Sequence, residues 1–146
     1  MKRDVLELDD PEYDLEDQVG FMLRVASQRH ASIFQQHSID NLTPTQFSTL
    51  IRLAEIGVVS QNHLGRLASM DVATIKGVVD RLKTKGLIHT EPDQVDKRRT
   101  VISLTSRGSD LIGDLKAAGL KITEATLAPL TPKERTTLLS LLRKIS

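Results

Sequence analysis

The chain has 146 residues, 39% of them apolar and 27% charged, enough for one domain with a real core or two small ones. It has no cysteine, which excludes a disulfide scaffold, thiolate metal sites, cysteine catalysis and thiol-based oxidant sensing. Aromatics at 3% leave little for a base-stacking platform, and a net charge of +1 conceals an asymmetry: two Lys/Arg against eight Asp/Glu over residues 1–17, nine against five over residues 60–108.

Residues 1–12 are charged, contain Pro11 and read as an acidic flexible arm. A helical period then runs from about Asp14 to Gln36 through Leu15, Val19, Met22, Val25, Ala26, Arg29 and Ile33. Ser38 to Leu42 is a connector. Thr43-Pro44-Thr45-Gln46 is a strong helix start: threonine caps, proline fits the first helical position, and glutamine completes a capping box. Leu42 and Phe47 stand at hydrophobic-staple spacing, and Gly57 is placed to end this helix as a left-handed cap. Ser60 can cap a short helix through Leu64 and Leu67. A tight turn follows at Ala68-Ser69-Met70. Asp71 then caps a helix running to about Lys85, with Ile75, Val78, Val79 and Leu82 on its buried face and Gly86 at its end.

Over residues 87–104 the period changes. Residues 87–90 and 100–104 are β-prone, and the polar, basic stretch from Glu91 to Arg99 joins them as a hairpin. Pro92 cannot donate to a central ladder, so the hairpin must be a small edge ribbon. Ser106 to about Thr126 reads as a second long helix through Leu111, Ile112, Leu115, Ala118, Ile122 and Ala125. Gly108, Gly113 and Gly119 weaken it, so packing must hold it. Thr131-Pro132-Lys133-Glu134 opens a last helix carrying Leu138, Leu139, Leu141, Leu142 and Ile145.

The fold class is therefore mainly α with a small β-wing. A winged helix-turn-helix lobe over residues 43–105 is flanked by long helices at 13–38 and 106–146, all within one domain spanning 13–146. Those flanking helices carry apolar stripes that one small lobe cannot cover, which predicts a helical dimerisation region and a homodimer. No apolar run approaches the roughly 18 residues of a membrane span, and the acidic start has no signal-peptide character, so the expected place is the cytoplasm, away from membranes.

Three stretches resemble the MarR family of bacterial transcription regulators: LTPTQFSTLIRL at 42–53, LGRLASMDVATIKGVVDRLKTKGLI at 64–88 and DKRRTVISLTSRG at 96–108. The last matches the family's D-x-R wing tip followed by L-T-x-x-G. The resemblance covers roughly residues 20–145. It implies a homodimer paired through its first and last helices and bound to a pseudo-palindromic double-stranded DNA operator, usually as a repressor released by a small ligand. The chain departs from the family pattern in having Ser69 where glycine is common, Gly65 where alanine is usual, Gly77 in place of a larger polar residue, and Thr90 in place of a frequent arginine.

Residue chemistry fits DNA reading. Val72, Ala73, Lys76 and Gly77 face outward early on the helix after Asp71, with Thr74 at the margin and Ser69 in the turn before it. Small residues let a helix sit deep in the major groove. Lys76 can donate to guanine, and Ala73 or Thr74 can touch a thymine methyl. Lys97, Arg98 and Arg99 gather positive charge on the wing, where an arginine can enter a narrow minor groove. Asp96 either pairs with one of those arginines or bonds its own backbone in a turn.

In the family, ligands bind where the dimer helices meet the winged lobes. The corresponding residues are Arg24, Arg29, His30, Phe34, His37, Phe47 and Ile51, a set that suits an aromatic carboxylate or an aromatic acyl thioester of coenzyme A. The alternative is a plain core of Phe34, Phe47 and Ile51 beside a solvent-facing Arg29. The four histidines lack metal-ligand spacing, and no catalytic or nucleotide-binding motif is present. The sequence thus predicts no metal, no cofactor and no enzyme. The alternatives to a ligand-responsive repressor are a winged-helix protein-interaction module and a regulator without a small-molecule ligand.

Overall fold

The computed structural model describes residues 12–146. The predicted acidic arm, Glu12 apart, lies outside the described residues. Among the described residues six α-helices and three short strands follow one another: α1 (Val19–Gln36), α2 (Pro44–Ile56), β1 (Val59–Ser60), α3 (Gln61–Leu67), α4 (Val72–Thr84), β2 (Ile88–Pro92), β3 (Thr100–Leu104), α5 (Ser106–Leu127) and α6 (Pro132–Ile145).

The capping predictions translate directly into geometry. Thr43 Oγ1 accepts from Gln46 N while Gln46 Oε1 accepts from Thr43 N, and Thr131 and Glu134 repeat that reciprocal box at the start of α6. Asp71 and Thr105 cap α4 and α5 through side-chain oxygens. The first helix begins later than its period suggests. Asp14 caps a separate 3-10 turn over Leu15–Asp17, and Gln18 is extended, so α1 starts only at Val19. Gly57 also departs from expectation. Its φ of 90° and ψ of −101° lie outside the left-handed helical region, although its N–H still closes onto Leu53 O at 2.8 Å.

A third strand was not legible in the sequence. The two residues of β1 pair antiparallel with β3 (Val59 opposite Ile102, Ser60 opposite Val101), so the sheet order is β1-β3-β2. The hairpin strand extends further than its apolar residues, to Pro92 opposite Thr100. Because β2 is an edge strand, the missing N–H of Pro92 leaves no gap in a central ladder.

One core holds the winged lobe together. Leu50, Leu53, Leu64, Ile75, Leu82, Leu87, Ile102 and Leu115 are essentially fully buried, and together they join α2, α3, α4, the sheet and the first half of α5. Three glycines permit close approaches: a β-carbon on Gly65 would press on Ile75 Cγ2 at 3.0 Å and Met70 O at 3.2 Å. A β-carbon on Gly108 would collide with the Leu87 carbonyl, and one on Gly119 would press on the Phe47 ring at 3.1 Å. Outside the lobe packing is thin. No α6 residue is buried, and Leu15, Val19, Met22, Leu23, Val25, Leu120, Leu139, Leu141 and Ile145 are all exposed.

Candidate nucleic-acid interface

Asp71 sets the start of α4. Its Oδ1 accepts from Thr74 N at 2.7 Å, and that hydrogen bond foremost holds its carboxyl below the usual carboxylate range. The preceding turn needs a left-handed residue, and Ser69 takes it with φ of 56°, which explains why glycine is the common choice there. Beyond the cap, Val72 (66% exposed), Ala73, Thr74 and Lys76 face solvent, while Ile75, Val78, Val79 and Leu82 turn into the core. A β-carbon on Gly77 would meet only Arg81 Nη1, at 3.8 Å, so this stretch of backbone stays open. Lys76 Nζ lies 3.4 Å from Asp80, a loose exposed pair that leaves the ammonium available.

The wing tip is closed by its own backbone, Asp93 N to Arg99 O at 3.0 Å and Arg99 N to Asp96 O at 2.9 Å. Asp96 satisfies both readings of its sequence at once. Its Oδ1 accepts from the Arg98 backbone N and Nε, both at 3.1 Å, and its Oδ2 from Arg98 Nη2 at 3.3 Å, with Arg99 Nε at 3.9 Å. The Arg98 side chain is the main reason the Asp96 carboxyl sits below its ordinary range, followed by the Arg98 backbone and the charge of Arg99. Arg98 is nevertheless 93% exposed, and Lys97 projects beside it. Behind the tip lies a polar cleft of about 280 Å³, where Arg98 and Arg99 meet Ser60, Asn62 and Arg66. Arg66 has no motif of its own. It reaches the wing because β1 hydrogen-bonds to β3, and a two-residue strand leaves no periodic signal.

The predicted effector residues do not form one group within this chain. Phe34 is buried edge-on against Phe47 with ring centroids 5.7 Å apart, and Phe47 and Ile51 pack onto the lobe core. Arg29 donates to the last carbonyls of α5, Thr126 O at 2.7 Å and Ala125 O at 3.1 Å, and His30 Nδ1 bonds Thr126 Oγ1 at 2.8 Å. The Arg29 cation at a helix C-terminus is electrostatically favoured, and with the His30–Thr126 bond it ties α1 to α5. His37 bonds the Ile33 carbonyl at 3.0 Å. Arg24 lies over the Phe21 ring, some ten residues and about 15 Å up the helix from Phe34. Two open hollows flank the end of α1. One of about 520 Å³ lies along Ala31, Phe34, Gln35, Leu42 and Thr43, and another of about 380 Å³ lies between His37, Ile39, Asp114 and Lys121.

The MarR family model matches residues 42–100, which span α2 to the first residue of β3. The transcriptional repressor NicR of Pseudomonas putida is 41% identical over 139 residues, covering 94% of this chain and 88% of the relative. The chain belongs to the MarR family. Among solved structures, a probable transcriptional regulator from Pseudomonas aeruginosa is 46% identical with a TM-score of 0.88, over 91% of this chain and all of that one. Bordetella bronchiseptica BpsR, whose DNA binding is regulated by 6-hydroxynicotinic acid, is 36% identical with a TM-score of 0.87, over 92% and 96% of the two chains. In this MarR-family chain the matched span holds the helix-turn-helix and nearly all of the wing, while the dimer helices predicted from the sequence lie outside it. Among the described residues no helix is long and apolar enough to cross a membrane.

Proposed function

We propose that this chain is a transcriptional repressor that binds a pseudo-palindromic operator as a homodimer and is released by a small organic anion. One observation carries the DNA reading: the small-residue face of α4 and an arginine wing tip held by Asp96 stand on a single lobe. Ser69, Val72, Ala73, Thr74 and Lys76 would address the major groove, and Lys97, Arg98 and Arg99 the adjoining minor groove. The apolar faces of α1 and α6, exposed in a single chain, supply the dimer contact. Two lobes so joined would present their reading helices to successive major grooves about 34 Å apart. Selecting duplexes from a random pool and footprinting the enriched sequence tests this. A two-fold footprint with half-sites one helical turn apart is expected, and a footprint without that symmetry would refute the dimeric geometry.

The effector is best read as a single-ring aromatic acid. Similarity to BpsR supports this class, as do the Arg29 guanidinium and the His30 imidazole on the same helix as Phe34, which pairs with Phe47. Arg24, His37 and Ile51 are the remaining residues proposed for the junction of dimer helices and lobe, and within one chain they stand apart from the others. The open hollow of about 520 Å³ beside Phe34 has room for a single aromatic ring. Calorimetric titration with 6-hydroxynicotinic acid and with hydroxybenzoates is the test. Saturable binding of a carboxylate but not of the corresponding amide is expected, and preference for a neutral or cationic compound would refute the anion reading.

A further inference from the structure

The cleft behind the wing lies outside the major-groove contacts proposed above, and it gathers three guanidinium groups. When one element enters a major groove and another the neighbouring minor groove, the sugar-phosphate strand dividing those grooves must pass between them. The topology places α3 in that gap. The chain leaves β1, paired with β3 at the root of the wing, directly into α3, and α3 packs on α4. Ser60, Asn62, Arg66, Arg98, Arg99 and Thr100 line the resulting cleft of about 280 Å³, and no carboxylate is among its lining residues.

Resting on the DNA reading above, we propose that this cleft seats one phosphate of the operator backbone and that Arg66 is its positioning residue. Arg98 and Arg99 are already engaged by Asp96 on the wing side. Arg66 is different. It is exposed, forms no ion pair among the described residues, and gives one Nη2 hydrogen to His63 Nδ1 at 3.2 Å, which leaves the rest of its planar fork free. A forked guanidinium matches two phosphate oxygens where an ammonium would offer only a point charge. Ser60 Oγ accepts from His63 N at 3.3 Å, so its own hydroxyl hydrogen can point to the anion. A phosphate held here would fix the lobe's register on the duplex without reading a base.

The probe is the duplex enriched by selection, carrying single uncharged methylphosphonate linkages placed one at a time across a half-site. One linkage between the major-groove contacts and the outer minor groove should weaken wild-type binding about tenfold. Arg66→Ala should weaken the unmodified duplex by a similar factor, lose its response to that linkage, and lower the salt slope by about one. Circular dichroism and light scattering should match wild type, because an exposed side chain leaves no cavity. Unchanged affinity, or sensitivity to the linkage retained in the variant, would overturn the assignment. So would weakening that varies with base sequence. A wild-type protein that enriches no duplex would overturn the DNA reading itself, and this assignment with it.

Discussion

Asp96 shows how one side chain prepares a surface for a partner that is not yet bound. Its carboxylate holds Arg98 by backbone and guanidinium together, so the wing arginine is aimed in advance and less conformational freedom is lost on binding. Arg98→Ala should weaken operator binding by a similar factor for related sequences and reduce the salt slope by about one, with the melting temperature unchanged. The Asp96 contact is favourable only while the carboxyl is ionised. Folding lowers its pKa, so the contribution is complete above the ordinary carboxylate range of about 4 and is lost only as pH falls through the depressed value. The effect of Asp96→Asn on operator affinity should therefore be constant between about pH 5 and pH 8. A different sort of residue is Gly108. Any β-carbon there meets the Leu87 carbonyl at the junction of the wing and α5. Gly108→Ala should cost at least about 2 kcal/mol in urea unfolding, whereas Gly113→Ala, which faces open space, should be neutral or stabilising.

At the scale of elements, the helices divide into two kinds. α2, α3 and α4 carry apolar faces that the lobe consumes, and α4 buries each residue its period assigns inward. α6 carries an equally clear stripe and buries none of it. Leu138 and Leu141 line an apolar groove on its surface with Leu130, and Leu139 and Ile145 stand further along. Covering a leucine is worth roughly 1.5–3 kcal/mol, so several exposed together on one short helix demand a partner surface. Leu141→Asp should give a monomer by light scattering. Its lobe should still fold, since no α6 side chain belongs to the lobe core. Operator affinity should fall by orders of magnitude, because each lobe then binds its half-site alone.

For the molecule as a whole, the effector question reduces to a coupling between two sites. An anion near Arg29, His30 and Phe34 would touch α1 and the end of α5, the region that would space the two lobes of the proposed dimer. It can release DNA only by binding the incompetent spacing more tightly, and a coupling of about 1–3 kcal/mol is a roughly 5- to 150-fold loss of operator affinity. Reciprocity requires operator DNA to weaken the effector by the same factor. Calorimetric titration of effector into free protein and into the protein–operator complex measures this, and equal affinities would refute the coupling. Arg29→Ala should weaken the effector more than the DNA. It should also cost about 1 kcal/mol of stability, since Arg29 caps the carbonyl end of α5.

Local chemistry suffices to place most elements of this protein. Caps, proline at first helical positions and turn residues act within a few residues of themselves, so Thr43, Ser60, Asp71 and Thr131 mark true helix starts before any packing is known. The inward face of α4 and the basic wing tip are legible for the same reason, since period and charge are properties of short windows. What depends on distant partners is not. The strand Val59–Ser60 exists only because β3 offers it a ladder, and the cleft that joins Arg66 to Arg98 follows from that pairing across more than thirty residues. Arg29 and His30 read as ligand groups in sequence because nothing local shows that α5 ends beside them, some 96 residues later. Only the folded chain brings those carbonyls to the guanidinium, and only there does a side chain predicted to recognise a ligand prove to hold two helices together.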